Sequence, residues 1–137
     1  MKLLRVGEKG KEIVAALDLD QNIRDLSSYI EDLNPDTINF ENLRNLQKVK
    51  LDTLPVIEKK KRIGSCITRP GDFLAIGLNY KAHAEGTNSK LPSEPILFNK
   101  STGCIQGPDD PIIKPVDAKK LDYEVEVAMV VGKKAKY

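Results

Sequence analysis

Two glutamates and one histidine are the residues of this sequence best suited to chemistry. Glu124 and Glu126 stand two apart in "LDYEVEVAMVVGKKAKY", and the sole histidine, His83, stands in "GLNYKAHAEGTN". On a strand, positions i and i+2 point to the same side, roughly 6.5–7 Å apart along the backbone. Two carboxylates so placed can bend toward one hard divalent cation such as Mg²⁺, which favours oxygen ligands and keeps several waters. An E-x-E pair alone is more often the solvated face of an antiparallel strand. Here the odd positions Leu121 to Val131 are all apolar, and the even positions pass from Asp122, Glu124 and Glu126 to Ala128 and Val130. A face that is polar only at one end implies a strand entering a core with its acids in a pocket. Like charges held there repel unless a cation offsets them. A lone histidine is more often structural or simply exposed. His83, however, follows an apolar run and a glycine in a polar stretch, where reactive groups tend to be placed, and imidazole is well matched to proton transfer near neutral pH.

The elements that must position these groups fall into two parts. "KLLRV" and "EIVAALDL" read as strands joined by the turn "GEKGK", whose glycines permit positive φ. A second turn at Asp20–Asn22 leads to a strand around Ile23–Leu26. In "SSYIEDLNP", Ser27 or Ser28 can cap a short helix, with Glu31 completing a capping box after Ser28 and Asn34-Pro35 ending it. Phe40, Leu43, Leu46 and Val49 recur every third residue, the pattern of a second helix. From Pro55 to Pro70 the composition shifts to charges, Gly and Pro, which marks a boundary between 1–69 and 70–137. Beyond it, Phe73–Ile76 reads as a buried strand, "KAHAEGTN" as a short helix or a lid loop, and "ILFNK" as a strand. "CIQGPDDPIIKP" reads as a turn leading to a strand edge, with Asp109 and Asp110 as turn formers, and residues 121–137 as the strongest strand of all. The reading is α+β: a small N-terminal α/β domain followed by the start of a β-rich domain.

The chain has 137 residues, 22 Lys and Arg against 20 Asp and Glu, and 40% hydrophobic residues. That suffices for one domain or one small domain plus part of another. The near-balanced charge gives no sign of a nucleic-acid or membrane-surface partner. "EKKKRIG" at 58–64 has no interleaved aromatics and reads as a solvated linker. No stretch approaches the roughly 20 apolar residues of a membrane span, and the N-terminus carries no secretory pattern. Two cysteines, Cys66 and Cys104, are too few for a disulfide framework, so reduced thiols and a cytoplasmic location are expected. "GEKGKE" lacks the trailing Lys-Ser/Thr of a phosphate loop.

Three separated blocks, "RPGDFLAIGLNYKAHAEG", "LPSEPILFNKSTGCIQGPDDPIIKP" and "LDYEVEVAMVVGKKAKY", resemble the fumarylacetoacetate hydrolase family in order and spacing. The upstream "IRDLSSYIEDL" and "TLPVIE" are similar to the small N-terminal domain of its longer bacterial members. The resemblance implies that the second part begins the family's catalytic fold, a mixed sheet rolled around a metal site. It implies that Glu124 and Glu126 are two of three carboxylate ligands to Mg²⁺ or Mn²⁺, and that His83 activates water or moves protons. Tyr80 and Lys100 become candidate substrate contacts, although a packed loop aromatic and a surface lysine explain them as well. Family members hydrolyse C–C bonds of acylpyruvates, decarboxylate oxaloacetate or isomerise 2-keto acids such as 2-hydroxyhepta-2,4-diene-1,7-dioate, and some are ureidoglycolate lyases. The shared logic is a cation that chelates a keto acid and stabilises an enolate. Full-length relatives are typically homodimers.

Two departures stand out. The family's usual glutamate three residues after the histidine is here Gly86, and the nearest acid, Glu85, lies at the second position, off the face that i and i+3 share on a helix. The family's third metal ligand is an Asp in a later segment. The chain thus reads as the front half of an enzyme, inactive alone, with His83 and Glu85 as candidate catalytic residues. The alternative is a non-catalytic remnant or interaction module of the same family. Whether the reading frame continues past Tyr137 to such an Asp separates the two.

Overall fold

The first sheet is built from tight turns. In the computed structural model, which describes residues 1–134 and 136, β1 (Lys2–Val6) and β2 (Ile13–Leu17) pair antiparallel with Leu3 opposite Ala16 and Val6 opposite Ile13. The turn between them places Gly7 at φ 138° and Gly10 at φ 81°, a region that side chains with a Cβ rarely enter. Asp18 closes the next turn by accepting from the Asn22 amide at 2.8 Å, and β3 (Ile23–Asp25) follows. The fourth strand, β4 (Val56–Ile57), lies in the charge-rich stretch after Pro55 and completes an antiparallel sheet of order β1-β2-β3-β4. Lys59, Lys60 and Lys61 remain exposed, as expected of that run.

The sheet alternates with period two, as a pleated strand must. Val14 and Ala16 face one cluster with Leu26, Ile30, Leu33 and Leu46; Ala15 faces another with Val6 and Ile23. The first cluster is roofed by the segment after β3 and by α1 (Phe40–Leu46). Asn39 caps α1 by accepting from the Asn42 amide at 2.9 Å. The expected three-residue periodicity holds for Leu46 and Val49, which pack on the core, but Phe40 is exposed.

The helix expected at Ser27–Asn34 does not form. A single turn, with the Ile30 amide donating to Leu26 O at 3.2 Å, is all that appears. Side chains take the backbone donors instead. The carboxylate of Asp25, rather than a serine, receives the Ser27 amide, and the Asn34 side chain accepts from Asp36 and Thr37. Such local bonds compete with helix.

A run of ion pairs crosses the edge of this sheet. Asp32 accepts from Arg5 Nε at 2.6 Å, and Glu12 accepts from Arg5 at 3.3 Å and from Arg62 at 2.7 Å. Asp110 receives Arg62 through both carboxylate oxygens, at 2.6 and 2.5 Å. Asp110 therefore does more than form a turn. The hydrogen bonds from Arg62 hold its carboxyl at about 2, against an ordinary 3.8. At Asp18 burial opposes ionisation, but bonds from Asn22 and Arg24 outweigh it and again leave the pKa at about 2.

Both folded values lie below the unfolded one, so the unfolded chain binds more protons between them. This contribution to stability is complete above the unfolded value and is lost as pH falls through the folded one. The melting temperature should hold above pH ~4 and drop toward pH ~2. Asp18→Asn should flatten that drop, and a melting temperature constant across the range would remove these pairs from the account.

The chain forms two compact units, one of Met1–Thr68 with the chain from Gln106 onward, the other of Arg69–Ile105. In the second, β5 (Leu74–Gly77) and β6 (Ile96–Asn99) pair antiparallel, joined through α2 (Lys81–Gly86). The strand expected at Phe73–Ile76 is present but not buried: Leu74 and Ile76 are exposed, as is all of β6. Two strands and one short helix offer too few layers to cover an apolar face.

The closing strand is the largest departure. Residues 121–131 have no regular secondary structure, and every one is exposed, Tyr123 at 83% and Met129 at 90%. Strand hydrogen bonds run between strands, and among the described residues no strand pairs with this segment. Gly132 lies against Ile38. Ala135 and Tyr137 fall outside the described residues. Together the antiparallel sheets and short helices make an α+β arrangement.

Candidate functional site

The groups singled out from the sequence lie in both units. Tyr80, His83, Glu85 and Lys100 belong to the second, Glu124 and Glu126 to the first.

In the second unit the polypeptide leaves β5 through Leu78, a non-glycine residue at φ 49°, and enters α2. Tyr80 is the N-terminal cap residue, and its carbonyl accepts from the His83 amide at 3.0 Å. Of the "KAHAEGTN" segment, Lys81–Gly86 is thus helical. Ala84 is its buried residue, and His83 is on the exposed side. Thr87 closes the helix by donating its hydroxyl to His83 O at 3.0 Å. The Glu85 carboxylate stands 3.6 Å from Lys81 Nζ, one helical turn back. It is turned toward that ammonium, as i,i+4 pairs are on a helix surface. Gly86 ends α2, and a Cβ built there would meet no atom within 4 Å. Lys100 continues the β5–β6 ladder, its amide donating to Phe73 O at 2.7 Å, and its ammonium sits 5.9 Å from the Phe98 ring centre. Tyr80 and His83 are therefore joined backbone to backbone at one helix terminus, while Glu85 is drawn to a lysine.

In the first unit Glu124 and Glu126 occupy the exposed, irregular segment described above. Their residue type supplies the hard oxygen donors that Mg²⁺ and Mn²⁺ prefer. Among the described residues no three His, Cys, Asp or Glu side chains gather in a metal-binding cluster. The fit to a divalent cation is thus one of donor chemistry, with two carboxylates and not three. Sequence reasoning passed over Arg62, the end of a basic run, as a residue with a specific partner. Nothing in its neighbours announces Asp110, which is 48 residues away.

A family model described as "Fumarylacetoacetate (FAA) hydrolase C-terminal" matches residues 72–137. Over this segment the chain is similar to the fumarylacetoacetate hydrolase family. All six candidate residues fall within the matched segment. Curated relatives extend the likeness upstream. A protein of Burkholderia ambifaria is 43% identical over 132 residues, covering 96% of this chain and 47% of its own length. One of Burkholderia multivorans gives the same figures, and one of Burkholderia cenocepacia is 42% identical over 136 residues, covering 99% of this chain and 48% of its own length. Each carries a provisional hydrolase name. The chain spans about half the length of these relatives. Among the described residues no helix is long and apolar enough to cross a membrane.

Proposed function

We propose that this chain contributes to a metal-dependent enzyme of the fumarylacetoacetate hydrolase family acting on a 2-keto or diketo acid. The reaction is C–C bond hydrolysis, decarboxylation or keto–enol isomerisation. One observation carries this reading: the family match spans His83 and both glutamates at once. The hydrolase names of the Burkholderia relatives favour the hydrolytic member of the set. In this reading residues 72–137 begin the family's β-rich catalytic fold, and the protein works as a homodimer in the cytoplasm.

Glu124 and Glu126 would hold Mg²⁺ or Mn²⁺. The cation's contribution, when bound, is to withdraw charge from the keto-acid oxygens. His83 is placed by α2 with its side chain in solvent, where it can accept or return a proton. Lys100 and Tyr80 are proposed to contact the anionic substrate.

Titration of Mn²⁺ into the 137-residue chain tests the ligand assignment. With two protein carboxylates the dissociation constant should be about millimolar or weaker. Glu126→Gln should weaken it further. Tight binding that Glu126→Gln leaves intact would exclude the pair as ligands. EDTA should abolish turnover of an acylpyruvate by the polypeptide expressed to its own stop codon.

A second reading, a non-catalytic interaction module, is favoured by the exposed apolar row from Leu121 to Val131. It requires that His83→Ala leave every measured property but binding unchanged.

A further inference from the structure

We propose that Arg62 and Asp110 form a staple that closes the neck through which the chain leaves the first unit and returns to it. The chain departs after Thr68 and re-enters at Gln106. On the first-unit side the two passages run backbone against backbone. Gly64 and Gly107 are both buried, and a Cβ on Gly107 would collide with the Ile63 carbonyl oxygen and lie 3.2 Å from Gly64 Cα. Only glycine permits so close an approach.

Arg62 lies just before this crossing and Asp110 just after it. Their two parallel bonds, at 2.6 and 2.5 Å, fix direction as well as distance. Asp110 Oδ2 also accepts from the Gly107 amide at 2.8 Å, so the returning passage is bent onto its own anchor. The departing passage is bound to β1 by the Gly7 amide donating to Arg62 O at 2.9 Å and the Gly64 amide donating to Arg5 O at 2.7 Å. A little farther on, the Thr68 amide donates to Leu33 O at 2.8 Å. Glu12, 5% exposed, holds the third guanidinium nitrogen at 2.7 Å. An isolated exposed pair would contribute little. Here the aspartate is 14% exposed and the arginine 26%, and a second carboxylate stands behind them.

The 69–105 unit is therefore an excursion with both ends tied at one point. It carries Tyr80, His83 and Glu85.

Amide exchange measured by NMR on the full chain tests it. Asp110→Asn and Arg62→Lys should each raise exchange at Gly64 and Thr68 by about tenfold, although neither amide bonds to an altered side chain. Asp18→Asn, which breaks a different ion pair in the β2–β3 turn, should leave both amides unchanged. A rise confined to Gly107, or an equal rise in Asp18→Asn, overturns the staple. Arg62→Lys keeps the charge and stands in if Asp110→Asn does not fold.

Discussion

Glu12→Ala is expected to bring the first unit close to unfolding. The Glu12 side chain is 5% exposed and joins two arginines, accepting from Arg5 at 3.3 Å and Arg62 at 2.7 Å, with the Gly10 amide at 2.9 Å. Removing one member of a buried ionic group leaves its partners uncompensated and costs about 3–5 kcal/mol. Each arginine here retains another carboxylate, Asp32 or Asp110, so the low end, about 3 kcal/mol, applies. Against the ~5 kcal/mol available to a small unit, that is most of the stability. Glu12→Gln keeps hydrogen-bonding capacity and should cost less. The midpoint of urea unfolding measures both, with an unchanged slope marking a pure stability effect. Lys11→Ala is the contrast. Its pair with Glu8 spans 3.4 Å but is 79% and 82% exposed, and its loss should not shift the midpoint. If Glu12→Ala behaves like Lys11→Ala, the ionic run is ornament.

What the sequence revealed of this unit follows from distance along the chain. The β1–β2 hairpin is written in adjacent residues, apolar alternation on either side of Gly7 and Gly10, and it forms in the structure. The strand after Asn22 and the helix ending at Leu46 are local too. β4 was not legible. Two residues inside a run of charges become a strand only because β3 offers an edge. The helix read into Ser27–Asn34 failed because Asp25 and Asn34 supply the backbone with other partners. Local side-chain bonds of this kind compete with a helix. The ionic run joins residues from positions 5 to 110, and no local pattern encodes a contact of that span. The residues of the candidate site were legible as types and spacings. Their placement was legible only for α2, because a helix is a local structure and a strand is not.

His83→Ala should lower kcat by about 100- to 10,000-fold, the usual contribution of a positioned proton carrier. The assay is acylpyruvate or oxaloacetate turnover by the polypeptide expressed to its own stop codon, with saturating Mg²⁺. The neighbouring acids sharpen this expectation. Glu85 is 3.6 Å from Lys81 and off the face of His83, so Glu85→Ala should change kcat little. Gly86 shares the i,i+3 face with His83, and the space around its missing Cβ is open. Gly86→Glu should therefore be accommodated, stabilise α2 by up to ~1 kcal/mol, and place a carboxylate where it can orient the imidazole. An increase in kcat is expected. If Glu85→Ala is the crippling change and Gly86→Glu does nothing, the working dyad is His83 with Glu85, and α2 rearranges when substrate binds.

The uncovered row after Lys120 sets a solubility problem. "VAMVV", residues 127–131, holds neither charge nor proline and lies open to solvent. Such segments stack in register at a repeat of ~4.8 Å into cross-β fibrils. Directly upstream, Asp122, Glu124 and Glu126 would be superposed on their own copies in that stack, and their mutual repulsion opposes it. In such a stack these acids would act as gatekeepers. A ligand that neutralises them without closing a fold around them would release the segment to aggregate, so occupancy of the glutamates and burial of the valines have to come together.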